Sequence, residues 1–386
     1  MRVLFVASWY PNRENPFDGV FIRRHAVAAA KYCDVAVLHV HLGHVGSISE
    51  ISSCGGVTEI VVYRELYKRR RRLWNLLSYV RGAYAGYRTV TVHFGKPDLV
   101  HVNVVLPAAL IALAIKFLEG IPYVVTEHWT AYTKADGSFH RSHLLVRTAI
   151  RALAAGARAI CTPTRHLRDA MIDCGIRNTY LVVPNVVDER LFPAPRLCDK
   201  MKIILHVSLL NDAQKNVSGI IRAASDLSRR RGDFVLHIVG EGVDRARLEG
   251  LAREQGLLDK KVFFHGSLNT RELIDYFRNA HLFVLFSNFE TFSVVTAEAL
   301  ACGVPVIVTR CGGPEEYVDE TCGLVIEPRD EDSLVEAMDY ILGNLSKYDS
   351  KKISQYAHSR FGADTVGRMI CRMYLSTLRW PDTFRK

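Results

Sequence analysis

The sequence predicts an α/β protein built from two doubly wound domains. Short β-branched runs alternate with amphipathic stretches of helical period, the alternation breaks once at a proline-spaced segment, and it then restarts. The length of 386 residues agrees, because a single hydrophobic core rarely fills a chain of that size.

In the first half, strands are expected at Arg2–Ala7, Val35–Val40, Thr58–Val62, Leu99–Val104, Tyr123–Thr126, Ala159–Thr162 and Tyr180–Val183. The stretch from Pro184-Asn185 through Pro193-Ala194-Pro195 lacks periodicity and reads as an interdomain linker. Six further strands follow at Lys202–Val207, Phe234–Val239, Val262–His265, Leu282–Phe286, Pro305–Thr309 and Gly323–Ile326. Beyond the last strand, Asp364–Leu378 is helical in pattern and is expected to cross back and brace the first domain. The expected division is therefore 1–190, 200–362 and 363–386. In doubly wound sheets, ligands bind beyond the carboxyl ends of the strands. Functional residues should lie there.

Composition narrows the function classes. Hydrophobic content of 49% and charged content of 23% are ordinary for a globular protein. No window has the roughly eighteen uninterrupted apolar residues that a membrane span needs. The N-terminus MRVLFVASWYP fits a first buried strand better than a signal peptide, so a cytosolic location is expected, with peripheral contact to the inner membrane face as an extension. The nine cysteines are scattered, without CxxC pairs or histidines at ligand spacing; reduced thiols are expected, and no structural metal. Net charge is +10, and Lys68-Arg69-Arg70-Arg71-Arg72 concentrates five cations before Leu73, Trp74, Leu76, Leu77, Tyr79 and Val80. Such a patch suits anionic lipid, nucleic acid or a pyrophosphate-linked substrate, or is a solvated helix start.

The richest segment is Phe289-Glu290-Thr291-Phe292-Ser293-Val294-Val295-Thr296-Ala297-Glu298, running on to Ala301-Cys302-Gly303-Val304-Pro305. Ser293 is expected to cap a helix Val294–Ala301, whose first N–H groups at Val294 and Val295 would face an anion. Glu298 lies among Val, Ala and Leu, where a carboxylate is costly unless something satisfies it. A ribose diol would do so, because a carboxylate accepts from two hydroxyls.

The spacing E-x7-E followed by A-C-G-x-P-V resembles the donor-site signature of glycosyltransferase family 4, retaining enzymes of the GT-B fold with two Rossmann-like domains facing across a cleft. The resemblance covers nearly the whole chain. Its marks are Trp9-Tyr10-Pro11 with Asp18-Gly19-Val20-Phe21, Val183-Pro184-Asn185-Val186-Val187-Asp188, Val239-Gly240-Glu241-Gly242, Phe264-His265-Gly266 and Gly312-Gly313-Pro314-Glu315-Glu316. It implies an N-terminal acceptor domain and a C-terminal nucleotide-sugar domain. Glu298 would bind the ribose, Glu290 the transferred sugar, and the main chain from Phe292 through Ser293 and Val294 to Val295 the phosphates. Lys215 would neutralise the departing diphosphate, and His128, after the strand Tyr123–Thr126, would face the sugar. Ser208, Asn216, Gly240, Glu241, His265, Gly266 and Gly19 complete the implied donor site. For Gly19, a turn requiring positive φ is an equally good reading.

One departure stands out. The family pattern V-G-R-L before the lysine reads Val207-Ser208-Leu209-Leu210 here, so its arginine is missing, and Asn216 replaces the usual glycine. Arg310 is one candidate to supply the cation. Asp330-Glu331-Asp332 is a literal D-x-D, but its position before the helix Ser333–Leu342 reads as capping, and no metal cofactor is expected.

The reading that follows is a retaining hexosyltransferase. It would use a UDP- or GDP-sugar and a saccharide or polyprenyl-pyrophosphate-linked acceptor, in polysaccharide or glycan assembly. Two rivals are a sugar-nucleotide epimerase of the same architecture and a non-enzymatic phosphate- or nucleic-acid-binding protein. No recognised nucleic-acid module is present, and a Rossmann dehydrogenase is excluded because Ser8-Trp9-Tyr10-Pro11 stands where G-x-G-x-x-G would begin.

Overall fold

A computed structural model describes residues 1–44, 46–67, 72–193 and 201–379. The basic run Lys68–Arg71 and the side chain of Arg72 lie outside them. The chain divides into an N-terminal domain of Met1–Val186 completed by Ala363–Lys386, and a C-terminal domain of Val187–Gly362.

The N-terminal sheet comprises β1 (Arg2–Ala7), β2 (Asp34–Gly43), β3 (Ser49–Cys54), β4 (Val57–Glu65), β5 (Leu99–Asn103), β6 (Tyr123–Thr126), β7 (Ile160–Thr162) and β8 (Tyr180–Val182). Their order across the sheet is β3-β4-β2-β1-β5-β6-β7-β8. The strands read as continuous apolar runs because helices cover both faces. Leu4 and Val6 point toward the helices Arg72–His93, Ala108–Glu119 and Leu144–Gly156, whereas Val3, Phe5 and Ala7 point toward Val20–Ala30 and Ala363–Arg379.

The expected all-parallel sheet needs one correction. β3 pairs antiparallel with β4 through Gly55-Gly56, both at positive φ. A two-residue Gly-Gly turn of this kind is a hairpin signal. The strand itself is largely exposed and polar, so it carries no apolar alternation to betray it.

The C-terminal sheet is parallel: β9 (Lys202–Val207), β10 (Phe234–Val239), β11 (Val262–Phe264), β12 (Leu282–Leu285), β13 (Val306–Thr309) and β14 (Gly323–Ile326), in the order β11-β10-β9-β12-β13-β14. Connections therefore diverge between β9 and β12, as they do between β1 and β5 in the other domain. Such switch points open a crevice at the strand ends.

The last helix, Ala363–Arg379, belongs to the N-terminal domain and packs on Val20–Ala30. Its Tyr374 hydroxyl lies 2.7 Å from His101 Nδ1, and His101 Nε2 lies 2.6 Å from Thr126 Oγ1. Burial pushes His101 down to about 3, so the ring is neutral and satisfied on both sides at neutral pH. Asp330 caps the helix Glu331–Gly343, accepting from Ser333 N at 3.0 Å, as the D-x-D reading expects.

Candidate active site

In the C-terminal domain the loops after β9 and β12 are laced together. Asn288 N donates to Gln214 O at 2.7 Å, and Asn288 Nδ2 to Ala213 O at 2.9 Å. This sets Lys215, at the end of the short helix Asp212–Lys215, against Glu290: Lys215 Nζ donates to Glu290 Oε1, with the side chains only 15% and 7% exposed. Ser287 Oγ donates to the same oxygen at 2.9 Å. The main chain of Glu290 is clamped as well, since its N–H donates to Cys311 O at 3.0 Å and its carbonyl accepts from Gly313 N at 3.2 Å. Burial, with the Glu290 charge beside it, pushes the Cys311 thiol up to about 12. An ion pair this shielded persists only while both partners are present.

The helix Val294–Ala301 begins next to this pair. Ser293 occupies its N-cap position, but the expected capping bond does not form. Ser293 adopts φ 65°, and its hydroxyl pairs with that of Thr296 at 2.8 Å. Tyr317 Oη donates to the carbonyls of Phe292 (2.5 Å) and Ser293 (3.0 Å). A trans peptide points its N–H opposite its C=O, so the N–H groups of Ser293 and Val294 face away from Tyr317. No side chain is therefore spent on capping, and the N-terminal dipole end stays free to favour an anion. Val295 is half-buried beside it; Glu298, one turn further on, is buried at 5% exposure.

A second group gathers at the ends of β9, β10 and β11. Gly240 N donates to Gly266 O at 2.8 Å, and a Cβ on Gly240 would stand 1.8 Å from Ser208 O, so this crossing admits only glycine. Ser208 Oγ lies 2.8 Å from His206 Nε2, whose Nδ1 lies 2.8 Å from Val284 O. The Val284 carbonyl can only accept, so Nδ1 carries the proton; burial holds His206 at about 4 and neutral, so Nε2 accepts from Ser208. His265 Nε2 meets His237 Nδ1 at 2.6 Å, and His265 Nδ1 meets the Tyr276 hydroxyl at 3.0 Å. Glu241 pairs with Arg245.

The structure also shows where the departures from the family pattern sit. Asn216 sits at φ 47°, a left-handed position that asparagine tolerates better than most residues. Leu209, at the place of the missing arginine, is 75% exposed. The suggested substitute, Arg310, points instead to Glu327 at 2.9 Å. Arg247 reaches Asp212 at 2.7 Å, at the other end of the helix that carries Lys215, a proximity that no spacing in the sequence reveals.

In the N-terminal domain, His128 follows β6 and is buried, its ring 4.6 Å from that of Phe21 and 5.6 Å from that of His25. Burial holds it well below its usual range. Its neighbour Glu127 escaped notice in the sequence. That carboxylate accepts from the N–H groups of Val105 (3.1 Å), His128 (2.8 Å) and Trp129 (3.0 Å) and from the Tyr132 hydroxyl (3.2 Å), so it fixes the loop that presents His128. Burial outweighs those four donors and raises its pKa. Gly19 has φ 60°, and a Cβ there would stand 2.5 Å from Trp9 O, which favours the turn reading of this residue.

Ser287 and Tyr317 were also missed; single hydroxyls next to a motif carry no periodic signal. Among the described residues there is no cluster of three metal-ligating side chains and no helix long and apolar enough to cross a membrane.

Two family models match. Residues 187–360 match glycosyl transferases group 1, and residues 19–191 match glycosyltransferase family 4. An uncharacterised glycosyltransferase of Methanocaldococcus jannaschii is 30% identical over 179 residues, 46% of this chain and 45% of that one. The chain thus spans about half the length of this relative. N-acetyl-alpha-D-glucosaminyl L-malate synthase of Bacillus anthracis is 25% identical over 299 residues, 73% of this chain and 75% of that one. Among solved structures, HepE of Anabaena in complex with UDP superposes with a TM-score of 0.74 at 17% identity, covering 97% of this chain and 100% of that one. The fold is shared.

Proposed function

Because this chain belongs to the group 1, family 4 glycosyltransferases, we propose that it transfers a hexosyl group from a UDP- or GDP-sugar to a saccharide acceptor, with retention at the anomeric carbon. The observation that carries this is the shielded Lys215–Glu290 pair beside the uncapped start of the helix Val294–Ala301. A diphosphate arriving there competes with Glu290 for Lys215. As it wins, the Glu290 carboxylate is released to accept from hydroxyls of the transferred sugar. Glu298 would hold the ribose, and the main chain from Phe292 to Val295 the phosphates. The group at Ser208, Asn216, Gly240, Glu241, His265 and Gly266 would complete the nucleotide site. From the N-terminal domain, neutral His128 would contact the sugar, and Gly19 would shape the loop that meets donor or acceptor. UDP in the related HepE structure supports a nucleoside diphosphate.

The step is a front-face displacement. The bond from the anomeric carbon to the leaving phosphate oxygen breaks as the acceptor oxygen bonds on the same face, and the acceptor proton passes to the departing phosphate. A fixed cation and helix N–H groups stabilise the negative charge that develops there. No metal is needed for that neutralisation.

The acceptor is read as a polyprenyl-pyrophosphate-linked saccharide in glycan or polysaccharide assembly, met at the cytoplasmic face of a membrane. The support is the basic and aromatic stretch from Lys68 to Tyr87.

The test is a thermal-shift panel of nucleoside diphosphates, where a ligand at 100 times its dissociation constant adds about 2.7 kcal/mol. Product stereochemistry by NMR follows; an inverted product would falsify the front-face step. Donor converted to its epimeric sugar nucleotide without acceptor, and without release of nucleoside diphosphate, would instead identify an epimerase.

A further inference from the structure

The helix Arg72–His93 is bordered by two recesses that the donor chemistry does not use. Between it and the helix Ala108–Glu119 runs a groove of about 470 Å³, walled by Ala83, Tyr84, Tyr87, Ala114, Ile115 and Leu118, with Arg88 at its lip. That is within the range of ligand pockets, roughly 300–1,000 Å³. Its surroundings stay apolar where a water-facing surface is normally polar: Tyr84 is 67% exposed, Phe117 80% and Leu118 84%. The second recess, of about 230 Å³, is lined by Ser47, Arg64, Glu65, Tyr67, Trp74 and Arg81 among others, so two guanidinium groups face one carboxylate there.

Charge decides what covers this face. Glu119, the one carboxylate lining the groove among the described residues, pairs with Lys96 at 3.3 Å, so it does not offset Arg88. In sequence the same helix is led by Lys68-Arg69-Arg70-Arg71-Arg72. A second copy docked on this face by two-fold symmetry would bring its own Arg81 and Arg88 to the same interface, adding like charge to like. An anionic bilayer complements both the cations and the exposed hydrocarbon-like surface.

We propose that the groove between the helices Arg72–His93 and Ala108–Glu119 seats one hydrocarbon chain of an anionic bilayer lipid, with Arg64, Arg81 and Arg88 holding headgroup phosphate. The site deepens the membrane reading above: it assigns a residue-level lipid site in place of general attraction to a basic segment.

The test is flotation of the full chain with vesicles of phosphatidylcholine, with and without phosphatidylglycerol, together with nucleoside-diphosphate thermal shifts on every variant. Binding is expected only to the phosphatidylglycerol vesicles. Ala114→Trp, which fills the exposed side of the groove, should weaken it at least tenfold. Arg81→Ser and Arg88→Ser should each weaken it roughly fivefold, the effect of losing about one cation at a membrane surface. All three variants should keep the wild-type nucleotide shift, which separates failure of this site from failure of the donor reading. Equal binding to both vesicle types, or no effect of Ala114→Trp, overturns the proposal. So does capture of free polyprenyl phosphate without vesicle binding, which would assign the groove to the acceptor's own chain. Self-association abolished by Ala114→Trp without vesicle binding would assign it to a second copy and overturn it equally.

Discussion

The two domains have the same kind of sheet and differ in the polar groups they bury around it. In the C-terminal domain a lysine and a glutamate are paired in a shielded place, as Lys215 and Glu290 are. The N-terminal domain buries an ion pair too, Arg23 with Glu59 at 2.7 Å, but adds to it a set of neutral histidines. His25 and His39 are pushed down to about 4 by burial, His101 to about 3, and His128 well below its usual range. The difference teaches how each half can recognise a ligand. A paired charge exchanges partners with a charged ligand, whereas a buried neutral imidazole offers hydrogen bonds and shape without titrating near pH 7.

The largest expected effect breaks the charged side. Lys215→Ala should lower turnover roughly 100- to 1,000-fold, the scale seen when one group stabilising transition-state charge is removed. It should also destabilise the fold, because Glu290 is left shielded and unpaired. Lys215→Met with Glu290→Gln should recover thermal stability and not activity. If the double variant stays as unstable as the single one, pairing is not what holds this region.

Next in size is the neutral side. Glu127→Ala strips four donors of their acceptor in a buried loop, at about 1–3 kcal/mol for each unsatisfied group that water cannot reach. A net loss of about 3 kcal/mol is expected in urea denaturation. An N-terminal domain that tolerates it would show that the loop carrying His128 is held by packing alone.

Acid should separate the domains by a smaller margin. A histidine whose folded pKa is depressed binds its proton only in the unfolded state between pH 6.5 and about 4, so stability present at pH 7 is lost as pH falls through that window. Each such group contributes a slope of roughly 1.4 kcal/mol per pH unit. Four buried histidines of this kind lie in the N-terminal domain: His25, His39, His101 and His128. In the C-terminal domain burial depresses His206 in the same way, whereas His237 and His265, also lowered, are partly exposed. Hydrogen exchange at pH 5 should find the N-terminal domain opening first; simultaneous opening would erase the distinction.

The smallest effect sharpens the comparison at one backbone position. Asn216→Gly places at φ 47° the residue least strained there, so stability should change by under about 1 kcal/mol and donor binding should hold. A large loss in nucleotide affinity would mean that the Asn216 side chain itself touches the donor.

Much of this was legible in the amino-acid sequence, and for a local reason. Parallel strands buried on both faces are continuous apolar runs, so β1, β6, β9, β10 and β14 fall where the runs stand. The glutamates at 290 and 298 also announce themselves, since their spacing around a strand–loop–helix is a property of one short segment. What a segment cannot contain is its distant partner. Lys215 and Glu290 meet across 75 residues of chain because Asn288 ties their loops together. The backbone of Ser293 is turned to φ 65° and its flanking carbonyls are held by Tyr317, so the expected cap is replaced by a hydroxyl pair with Thr296. β3 hid because its pairing rests on a Gly-Gly turn and backbone bonds, with no apolar face to show. The sequence by itself determined which apolar stretches become strands, because burial periodicity is written locally. Only the tertiary structure decided which charges neutralise each other and which histidines stay neutral, because both depend on what the fold brings near and how much water it removes.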